Sequence, residues 1–421
     1  MSNSLLSADV ELSLCQLLDP AVMENPYPLY ARLREQDPVH WDPFLKAWVV
    51  SRYDDAVTVL HRFSADRAPS PEDFDAQGCS SLSPIAQVMM KQMMFLDGAA
   101  HTRLRSLAAS AFSPRRVQSL RETIQGIADR LIDAIAERQN AELLADFAEP
   151  LPAIVTGELL GVPVYDTRQL KAWSSDFGKM LGNIHHAAEF SAQIVRSVNE
   201  AVAYFRDAIR AQQIEPREGV VRSLVTAEID GARLTEEEVI ANCILVTAGA
   251  QEDITNLIGN GMLTLLRHPE TIPQLASNAS LMQPAVEELL RYESPTQHTM
   301  RVAPGNVTLG GKRIRKRQQV IVLLAAANRD PDKFVDPERL DLAREDNRHL
   351  AFGWGAHFCL GATLARAEAQ IAFQTLLKRL PDLALANAHA DWRTNLSLRG
   401  LQSLPVRFKG FSGGKLPAAS A

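Results

Sequence analysis

A single cysteine near the C-terminal end lies in the stretch Phe352–Gly361, which reads FGWGAHFCLG. The sulfur of this residue, Cys359, has three candidate roles: a small buried apolar group, half of a disulfide, or a ligand. The other cysteines, Cys15, Cys79 and Cys243, are far apart, with no Cys-x-x-Cys pair and no zinc-like Cys/His spacing in the sequence. We therefore expect no disulfide framework, and Cys359 needs another role.

The residues after Cys359, LGATLARAEAQIAFQTLLKRL, have helical spacing and put the cysteine at or just before a helix N-terminus. Unpaired backbone N–H groups and the positive end of the helix dipole favour a thiolate there. Gly353, Gly355 and Gly361 remove side chains where a bulky flat ligand would lie against the backbone. A thiolate on such a loop is a good axial ligand for haem iron, although a cysteine without this context would be interpreted as a buried apolar residue.

This stretch resembles the haem-binding loop of the cytochrome P450 family. The family pattern Phe-x-x-Gly-x-x-x-Cys-x-Gly is met by Phe352, Gly355, Cys359 and Gly361, and the resemblance runs from about Pro26 to Phe408. It implies a mainly α fold with a small β-rich lobe, the cytochrome P450 fold. It also implies haem b as the cofactor and Cys359 as the proximal ligand of its iron.

Two further motifs agree with this resemblance. Glu288 and Arg291 lie three residues apart in EELLRY and share a helix face, so they can form an ion pair. The resemblance implies that they join Arg339, from the downstream segment DPERLDL, in a buried structural network behind the haem. We expect this network to hold the cysteine loop and to take no part in catalysis.

A cationic stripe forms the second motif. His101 and Arg105 are four residues apart in HTRLR and can hold a carboxylate from one helix face. The resemblance implies that they contact the haem propionates together with Arg301 and His357. Four groups from three distant segments would then neutralise the two propionate carboxylates, because buried carboxylates require charge-assisted partners.

The longest predicted helix begins at Thr235, where Glu238 completes a capping box, and extends to His268 because Pro269 stops it. At about 1.5 Å per residue it would span roughly 50 Å, enough to cross a domain. Its apolar centre contains two adjacent acids, Glu252 and Asp253. A buried pair of acids indicates that this part of the helix passes something that needs them.

Here the sequence departs from the family. The family pattern is Ala/Gly-Gly-x-Asp/Glu-Thr, whose acid and threonine relay protons to bound dioxygen, whereas this chain has Glu252 as the acid and Asp253 in the threonine position. A register shifted by one residue would use Gln251 and Glu252, still without a threonine. With Glu252 and Asp253 as the candidate catalytic residues, three hypotheses remain. Asp253 replaces threonine in the relay; or substrate or water relays while Asp253 binds the substrate; or the enzyme uses peroxide or catalyses a rearrangement.

The resemblance also places the substrate and access walls in residues 81–90, 180–186, 296–300 and 397–398. Small residues at 249 and 250 leave space beside Asp253, and the polar run TQHT at 296–299 hints at a substrate with oxygen or nitrogen groups. The expected substrate-contacting residues are Val246, Gly249, Ala250, Gln297, His298 and Leu398.

Composition limits the other possibilities. The net charge of −6 is mild for 421 residues and the basic residues are scattered, so nucleic acid is not an expected partner. The N-terminal residues lack a signal-peptide pattern, and no stretch approaches the roughly 18 apolar residues of a membrane span. We expect a cytoplasmic monomer with one domain over residues 1–421, in which 1–25 and 410–421 are peripheral tails.

The predicted activity is that of a haem-thiolate monooxygenase that inserts one oxygen atom from O2 into a small organic substrate, in secondary or catabolic metabolism. The sequence contains no dinucleotide-binding Gly-x-Gly-x-x-Gly and no phosphate-binding loop. Electrons must therefore come from outside, and the resemblance implies a ferredoxin-type donor with its reductase. The alternatives are a peroxide-using or otherwise atypical haem-thiolate enzyme and a non-catalytic haem sensor.

Overall fold

The computed structural model describes residues 12–76, 78–182, 188–229 and 231–409, and at 181–182 and 188–190 it describes the backbone alone. Helices make up 59% of the structure, so the expected mainly α fold with a small β-rich lobe is confirmed. The α-helices are α1 Pro20–Glu24, α2 Tyr27–Gln36, α3 Tyr53–Arg62, α4 Pro71–Ala76, α5 Ser83–Met89, α6 Gly98–Ala108, α7 Pro114–Asp133, α8 Pro150–Leu160, α9 Thr167–Gly182, α10 Ala188–Ile214, α11 Val220–Thr226, α12 Glu236–Gly249, α13 Glu252–Arg267, α14 Ile272–Ser277, α15 Met282–Tyr292, α16 Leu324–Ala327 and α17 Ala362–Arg379.

Short helical turns connect several of these elements. A π-helical turn covers Leu144–Ala148, and 3-10 turns cover Leu14–Leu18, Ser80–Leu82, Met93–Phe95, Ala109–Phe112, Val164–Asp166, Pro269–Thr271, Ala279–Leu281 and Gly355–His357.

The strands are short and form small sheets. They are β1 Val39–Asp42, β2 Ala47–Val50, β3 Asn140–Glu142, β4 Glu228–Ile229, β5 Ala232–Arg233, β6 His298–Val302, β7 Val307–Leu309, β8 Lys312–Ile314, β9 Gln319–Leu323, β10 Ala384–Leu385 and β11 Pro405–Arg407. The largest sheet has the order β1-β2-β9-β6, with β2 and β9 parallel and the other pairs antiparallel. The order in the second sheet is β10-β11-β3, and β4-β5 and β7-β8 are separate pairs.

Two hydrophobic clusters form the interior. The larger one extends along the sequence from Leu14 to Phe408, and the smaller one lies where the four-stranded sheet meets α3. Residues 12–25, expected to be a peripheral tail, contribute Leu14, Leu17 and Met23 to the larger cluster. The buried Asp42 carboxylate fixes this segment, because its Oδ2 accepts from Ser13 Oγ and Leu14 N at 2.9 Å each. That the chain forms one domain stays a prediction.

The long helix begins at Thr235 with the predicted capping box, but it is interrupted. The expectation of one continuous helix to His268 is wrong, because α12 ends at Gly249 and α13 begins at Glu252. At the break, side chains donate hydrogen bonds to backbone carbonyls. Gln251 Nε2 donates to Thr247 O at 3.3 Å, and Ser174 Oγ donates to Ala248 O at 3.3 Å. The interruption therefore costs few unsatisfied backbone groups and changes the direction in which residues 252 and 253 project.

The second half of this helix is packed closely on both sides. A Cβ at Gly261 would lie 2.5 Å from Phe373 Cζ, a ring that is fully buried in α17. On another face, Asn260 Nδ2 donates to Arg399 O at 2.9 Å and holds the C-terminal loop against α13. Within the described ranges, no helix is long and apolar enough to cross a membrane.

The contact at Gly261 predicts that replacing this glycine by alanine destabilises the protein, whereas helix propensity alone predicts stabilisation. We expect Gly261→Ala to lower the free energy of unfolding by about 1–3 kcal/mol, because the new methyl group overlaps a buried ring. Gly126→Ala is the matched control, since the only atom near its Cβ is the flexible Arg130 Nη1 at 3.6 Å. That change should stabilise by about 0.5–1 kcal/mol. Urea unfolding of both variants checks this, and equal signs would contradict the packing argument.

Candidate functional site

The cysteine loop is held in shape by its own backbone. Cys359 N donates to Phe352 O at 2.9 Å, and the loop then enters α17 through Gly361. Gly353 and Gly355 both have φ of 71°, a left-handed conformation that other residues rarely adopt. These two glycines are thus required by the turn itself, whereas Gly361 has an ordinary φ of −85°, and a Cβ there would contact Phe112 Cε1 at 3.9 Å and Cys359 Sγ at 4.0 Å.

Cys359 is a free cysteine that solvent reaches, although protein surrounds most of its thiol. The surrounding protein nevertheless raises the pKa of its thiol to about 11, through burial and the Asp253 carboxylate, against the lowering effect of the Gly361 N–H and Arg105. A helix start alone therefore does not supply the thiolate that the sequence predicts. Coordination of a metal cation deprotonates a thiol outright, so a metal-bound thiolate remains compatible with this site.

A buried carboxylate organises the chain that leads to this loop. Glu288 and Arg291 on α15 are both fully buried and are joined by two hydrogen bonds of 2.8 Å. Glu288 also accepts from Asp341 N at 2.9 Å and from Arg344 Nε and Asn347 Nδ2 at 3.1 Å. Both oxygens of this acid are thus occupied, by Arg291 on the same helix and by donors from the one distant segment 341–347.

The third arginine of the network is Arg344, and the expectation of Arg339 is wrong. Arg291 Nη2 donates to the carbonyl of Arg339, at 3.3 Å, so the Arg339 backbone faces the network. Its guanidinium points outward, is 67% exposed and pairs with Asp341 at 3.2 Å. Arg344, with 9% exposure, occupies the interior position.

A neighbouring carboxylate that the sequence reasoning missed fixes α17 beside the cysteine loop. Glu287 accepts from Arg366 Nε and Nη2 at 2.7 Å each and contacts His349 Nε2 at 3.1 Å. Although burial opposes it, these partners lower the pKa of Glu287 to about 2. The Arg366 guanidinium also lies 4.5 Å from the ring centre of Phe352. The signal in the sequence was the acid adjacent to Glu288.

The four predicted propionate partners lie together, although they come from distant segments. The rings of His101 and His357 are 4.1 Å apart. Arg105 Nη2 donates to Phe358 O at 2.5 Å, and Arg301 lies close enough to His357 to lower its pKa. Burial and these cations hold the pKa of His357 at about 4, and burial also lowers the pKa of His101.

The two arginines and the two neutral histidines of this group can all donate hydrogen bonds, so they fit a ligand with carboxylates. His101 Nε2 and Arg301 Nε are buried and have no hydrogen-bond partner among the described residues. Unpaired buried donors are costly, so they indicate acceptors that a cofactor would bring. In the described part of the chain, His, Cys, Asp and Glu side chains form no cluster of three that could hold a metal ion by itself. Haem, which brings its own equatorial nitrogens and two propionates, suits one thiol and a set of cations.

On the other side, Asp253 contacts the predicted substrate wall. Its Oδ1 accepts from Thr296 Oγ1 at 2.9 Å. Burial, helped by Glu252 and opposed by the Thr296 hydrogen bond, raises the pKa of Asp253 to about 6. This carboxyl group can therefore hold or release a proton near neutral pH.

The adjacent acid has a different environment. Glu252 Oε2 accepts from Arg393 Nη1 at 3.0 Å, and the same guanidinium donates to Glu149 at 2.9 Å. Lys171 also pairs with Glu149, so two acids and two bases link α13 to α9 and the C-terminal loop. No motif in the sequence pointed to Arg393. The catalytic roles predicted for Glu252 and Asp253 stay predictions.

The substrate-wall residues divide into two groups. Gly249 borders open space, with no atom within 4 Å of a Cβ placed there. A β-bridge pairs Thr296 with Leu398, and His298 Nε2 lies 3.1 Å from Ser397 Oγ, so the two predicted walls meet. Val246, on the same helix as Gly249, and Ala250, the C-cap of that helix, are both partly buried. Residues 183–186 of the predicted wall lie outside the described residues.

Gln297 does not belong to the wall. It is buried, its Oε1 accepts from Tyr30 Oη at 3.0 Å, and its Nε2 donates to Ser294 O at 2.7 Å. Because side chains alternate along an extended segment, Gln297 points away from the side that Thr296 and His298 share. Its predicted role as a substrate contact is not supported by this geometry.

Comparisons with known proteins agree with the site. The family model for cytochrome P450 matches residues 46–381. The biotin biosynthesis cytochrome P450 of Bacillus subtilis is 38% identical over 391 residues, which cover 92% of this chain and 97% of that protein. The crystal structure of P450BioI with a hexadec-9Z-enoic acid ligated acyl carrier protein has a TM-score of 0.87 and 37% identity, covering 93% and 99% of the two chains. Myxobacterial CYP267B1 in complex with myristic acid has a TM-score of 0.85 and 38% identity, covering 94% and 99%.

The exchange of Arg339 for Arg344 in the network predicts unequal costs. We expect Arg344→Ala to lower the free energy of unfolding by about 2–4 kcal/mol, because it removes a donor from a buried carboxylate. Arg339→Ala, the matched control, should change it by less than about 0.5 kcal/mol because its guanidinium is exposed. Guanidinium unfolding followed by the haem absorption band measures both. If Arg339→Ala lowered the free energy of unfolding more than Arg344→Ala does, Arg339 would be the third arginine, as the sequence predicts.

The raised pKa of Asp253 predicts a stability difference that depends on pH. Ionising this acid is harder in the folded protein than in the unfolded chain, so its favourable contribution is complete below pH 4 and is lost as pH rises through about 6. Asp253→Asn removes this loss. The variant should match wild type at pH 4 and be more stable by up to about 3 kcal/mol at pH 7.5.

Paired unfolding curves at several pH values test this difference. Asp253 also raises the pKa of the Cys359 thiol, but with a value of about 11 that thiol stays protonated in both proteins between pH 4 and 7.5 and does not affect the comparison. Asp75→Asn, at an exposed position, serves as the control and should show no trend with pH. A stability difference for Asp253→Asn that does not change between pH 4 and 7.5 would contradict the raised pKa.

Proposed function

The chain belongs to the cytochrome P450 family of haem b monooxygenases, and we propose that it oxidises a small organic molecule in biosynthesis, with Asp253 carrying protons at the distal side. Cys359 would ligate the haem iron, and His101, Arg105, Arg301 and His357 would hold the propionates. When bound, the haem supplies the activation of dioxygen. The protein must then bind the substrate, exclude bulk water and deliver protons.

The contact between Thr296 and Asp253 is the observation that carries this proposal. The threonine hydroxyl donates to Oδ1 at 2.9 Å and fixes the carboxyl group, whose Oδ2 accepts no hydrogen bond from the described residues. A fixed carboxyl group with a pKa of about 6 can accept a proton from water and pass it on at neutral pH. Asp253 thus supplies at one atom what a threonine hydroxyl supplies elsewhere in the family.

We assign a positioning role to Glu252. Its carboxylate pairs with Arg393, which is also bound to Glu149, so releasing Glu252 as a proton carrier would break a network of charges. The pairing keeps α13 oriented after the interruption at Ala250 and Gln251. Glu252 would therefore hold Asp253 in place while Asp253 moves the proton.

The substrate remains a small organic molecule with oxygen or nitrogen groups. Thr296 and His298 give the wall hydroxyl and imidazole groups, and Gly249 leaves space beside the helix break. Relatives in complex with myristic acid and with a carrier-bound hexadecenoic acid support testing fatty acyl compounds first.

A ferredoxin-type donor with its reductase would deliver the electrons. Four arginines, Arg103, Arg115, Arg116 and Arg348, would offer it a basic surface. Three of them are paired, Arg103 with Glu238, Arg116 with Glu218 and Arg348 with Asp346, so this surface is partly neutralised. Electrostatic docking of the electron donor would then depend mainly on Arg115. The three paired arginines would contribute only by exchanging their present carboxylate partners for carboxylates of the donor. That the protein acts as a cytoplasmic monomer stays a prediction.

A second candidate function is peroxide-driven oxidation. A carboxylate in place of the distal threonine favours it, because Asp253 can take the proton that hydrogen peroxide must lose on binding. Product formed with hydrogen peroxide but not with ferredoxin, reductase and dioxygen would favour this candidate.

The test measures coupling, the product formed per reduced nicotinamide consumed. Myristic acid and hexadec-9Z-enoic acid are first titrated against the ferric haem band, and the tighter ligand is used for turnover with a ferredoxin and its reductase. We expect Asp253→Asn to lower coupling about tenfold or more because a proton carrier is lost. Asp253→Thr should recover most of it, and Glu252→Gln should mainly lower stability.

Three outcomes separate the hypotheses. Unchanged coupling in both Asp253 variants removes this residue from proton delivery. A higher Kd for the fatty acid in the Asp253 variants, with unchanged coupling, assigns Asp253 to substrate binding instead. Activity of the wild type with peroxide alone supports the second candidate.

A further inference from the structure

Arg67 lies beside the predicted propionate site, although no motif pointed to it. It follows Ser64, whose β-bridge with Val302 places this segment next to the end of β6. Its Nη1 donates to Ala65 O at 3.1 Å and to Met94 O at 3.4 Å, and its guanidinium lies 4.7 Å from the ring centre of Phe95. Both hydrogen-bond acceptors are neutral.

The guanidinium of Arg67 has no carboxylate bonded to it among the described residues. Its Nε and Nη2 donate to no acceptor in that part of the chain. Burial and the neighbouring Arg301 lower the pKa of Arg67 to about 9, and only Asp97 acts in the opposite direction. An enclosed guanidinium with free donors is stabilised when an anion binds it.

Asp97 cannot be that anion. Its Oδ2 accepts from Ser64 Oγ at 2.5 Å, its Oδ1 accepts from Ala65 N at 3.0 Å, and His357 Nε2 lies 3.6 Å from Oδ1. Burial opposes ionisation, yet the hydrogen bonds from Ser64, Ala65 and Asp66 keep the pKa of Asp97 below its usual value. Asp97 is thus an ion with its own partners.

The charges of this region leave room for two further anions. Arg67, Arg105 and Arg301 are three permanent cations, and Asp97 is one anion near them. Ferric porphyrin and a thiolate ligand cancel each other's charge, whereas the two propionates of haem b remain. Without Arg67, the propionates and Asp97 would outnumber the cations.

We propose that Arg67 is a third arginine of the cofactor site and donates to a carboxylate that it shares with Arg301. The proposal rests on the assignment of the propionates to His101, Arg105, Arg301 and His357. A carboxylate on the substrate is the other source of the same chemistry, and the charge balance favours the propionate. Arg67 would then slow haem loss and compensate for Asp97.

Haem transfer from the ferric protein to excess apomyoglobin tests this. We expect Arg67→Gln to release haem about tenfold faster, because a charge-assisted hydrogen bond to the propionate is lost. Arg67→Lys should lie between Arg67→Gln and wild type. Arg313→Gln, on the exposed β7–β8 hairpin, is the matched control and should equal wild type.

Haem dimethyl ester, which has no carboxylates, separates a propionate contact from a structural role. After reconstitution with the ester, wild type and Arg67→Gln should lose it at the same rate. Equal acceleration with both cofactors, or no acceleration with haem, overturns the proposal. Should Arg67→Gln fail to fold, Arg67→Lys is compared with the same two cofactors, and equal acceleration with both again overturns it.

Titration of the ferric protein with dodecanoic acid and its methyl ester tests the other source. If Arg67→Gln bound the acid more weakly than wild type does, bound the ester equally well and lost haem at the wild-type rate, Arg67 would be assigned to the substrate carboxylate. That result would overturn the propionate contact. The haem-loss and binding measurements do not depend on proton delivery by Asp253, so this proposal can fail while the proposed role of Asp253 holds, and the reverse. Unchanged affinity for both compounds, with faster haem loss, supports the proposal.

Discussion

The buried carboxylate of Glu288 is the interaction on which the cofactor side of the structure depends. An ionised group without water needs a donor for each lone pair, and Glu288 obtains them from Arg291, Asp341, Arg344 and Asn347. Arg291 in turn binds the carbonyls of Asn328 and Pro337 at 2.9 Å each. Asn328 Oδ1 then accepts from Leu350 N at 2.6 Å, just before the cysteine loop. A long irregular segment is thereby fixed to α15 without forming a helix or strand.

The two faces of the site differ in how they manage charge. On one face, arginines and histidines lie close together with unpaired donors, which is unfavourable unless anions bind. On the other face, Glu252 is neutralised by Arg393, and Asp253 is left with a single hydroxyl partner and a raised pKa. The first arrangement suits a cofactor that brings carboxylates. The second suits a group that must change its protonation state, because strong pairing would fix it in one form.

Prediction succeeded where the required contact was local and fell short where it was not. The capping box at Thr235 and the pair of Glu288 with Arg291 involve residues three apart on a helix, so spacing alone defines their geometry. The identity of the third arginine depended on which way a loop turned, and the backbone of Arg339 faces Arg291 while its side chain faces water. Gln297 was misplaced for the same reason, since the alternation of an extended segment decides which neighbours point inward.

The sequence by itself determined the cysteine loop, the class of cofactor and the cationic pair of His101 with Arg105, because each is a short pattern whose geometry follows from backbone conformation. Only the tertiary structure decided how distant segments meet: Arg67 beside Arg301, Arg393 on Glu252 and Thr296 on Asp253. These contacts join residues that are far apart in the chain. Their formation depends on helix packing, on the interruption after Gly249 and on the path of loops, none of which is encoded in a local spacing.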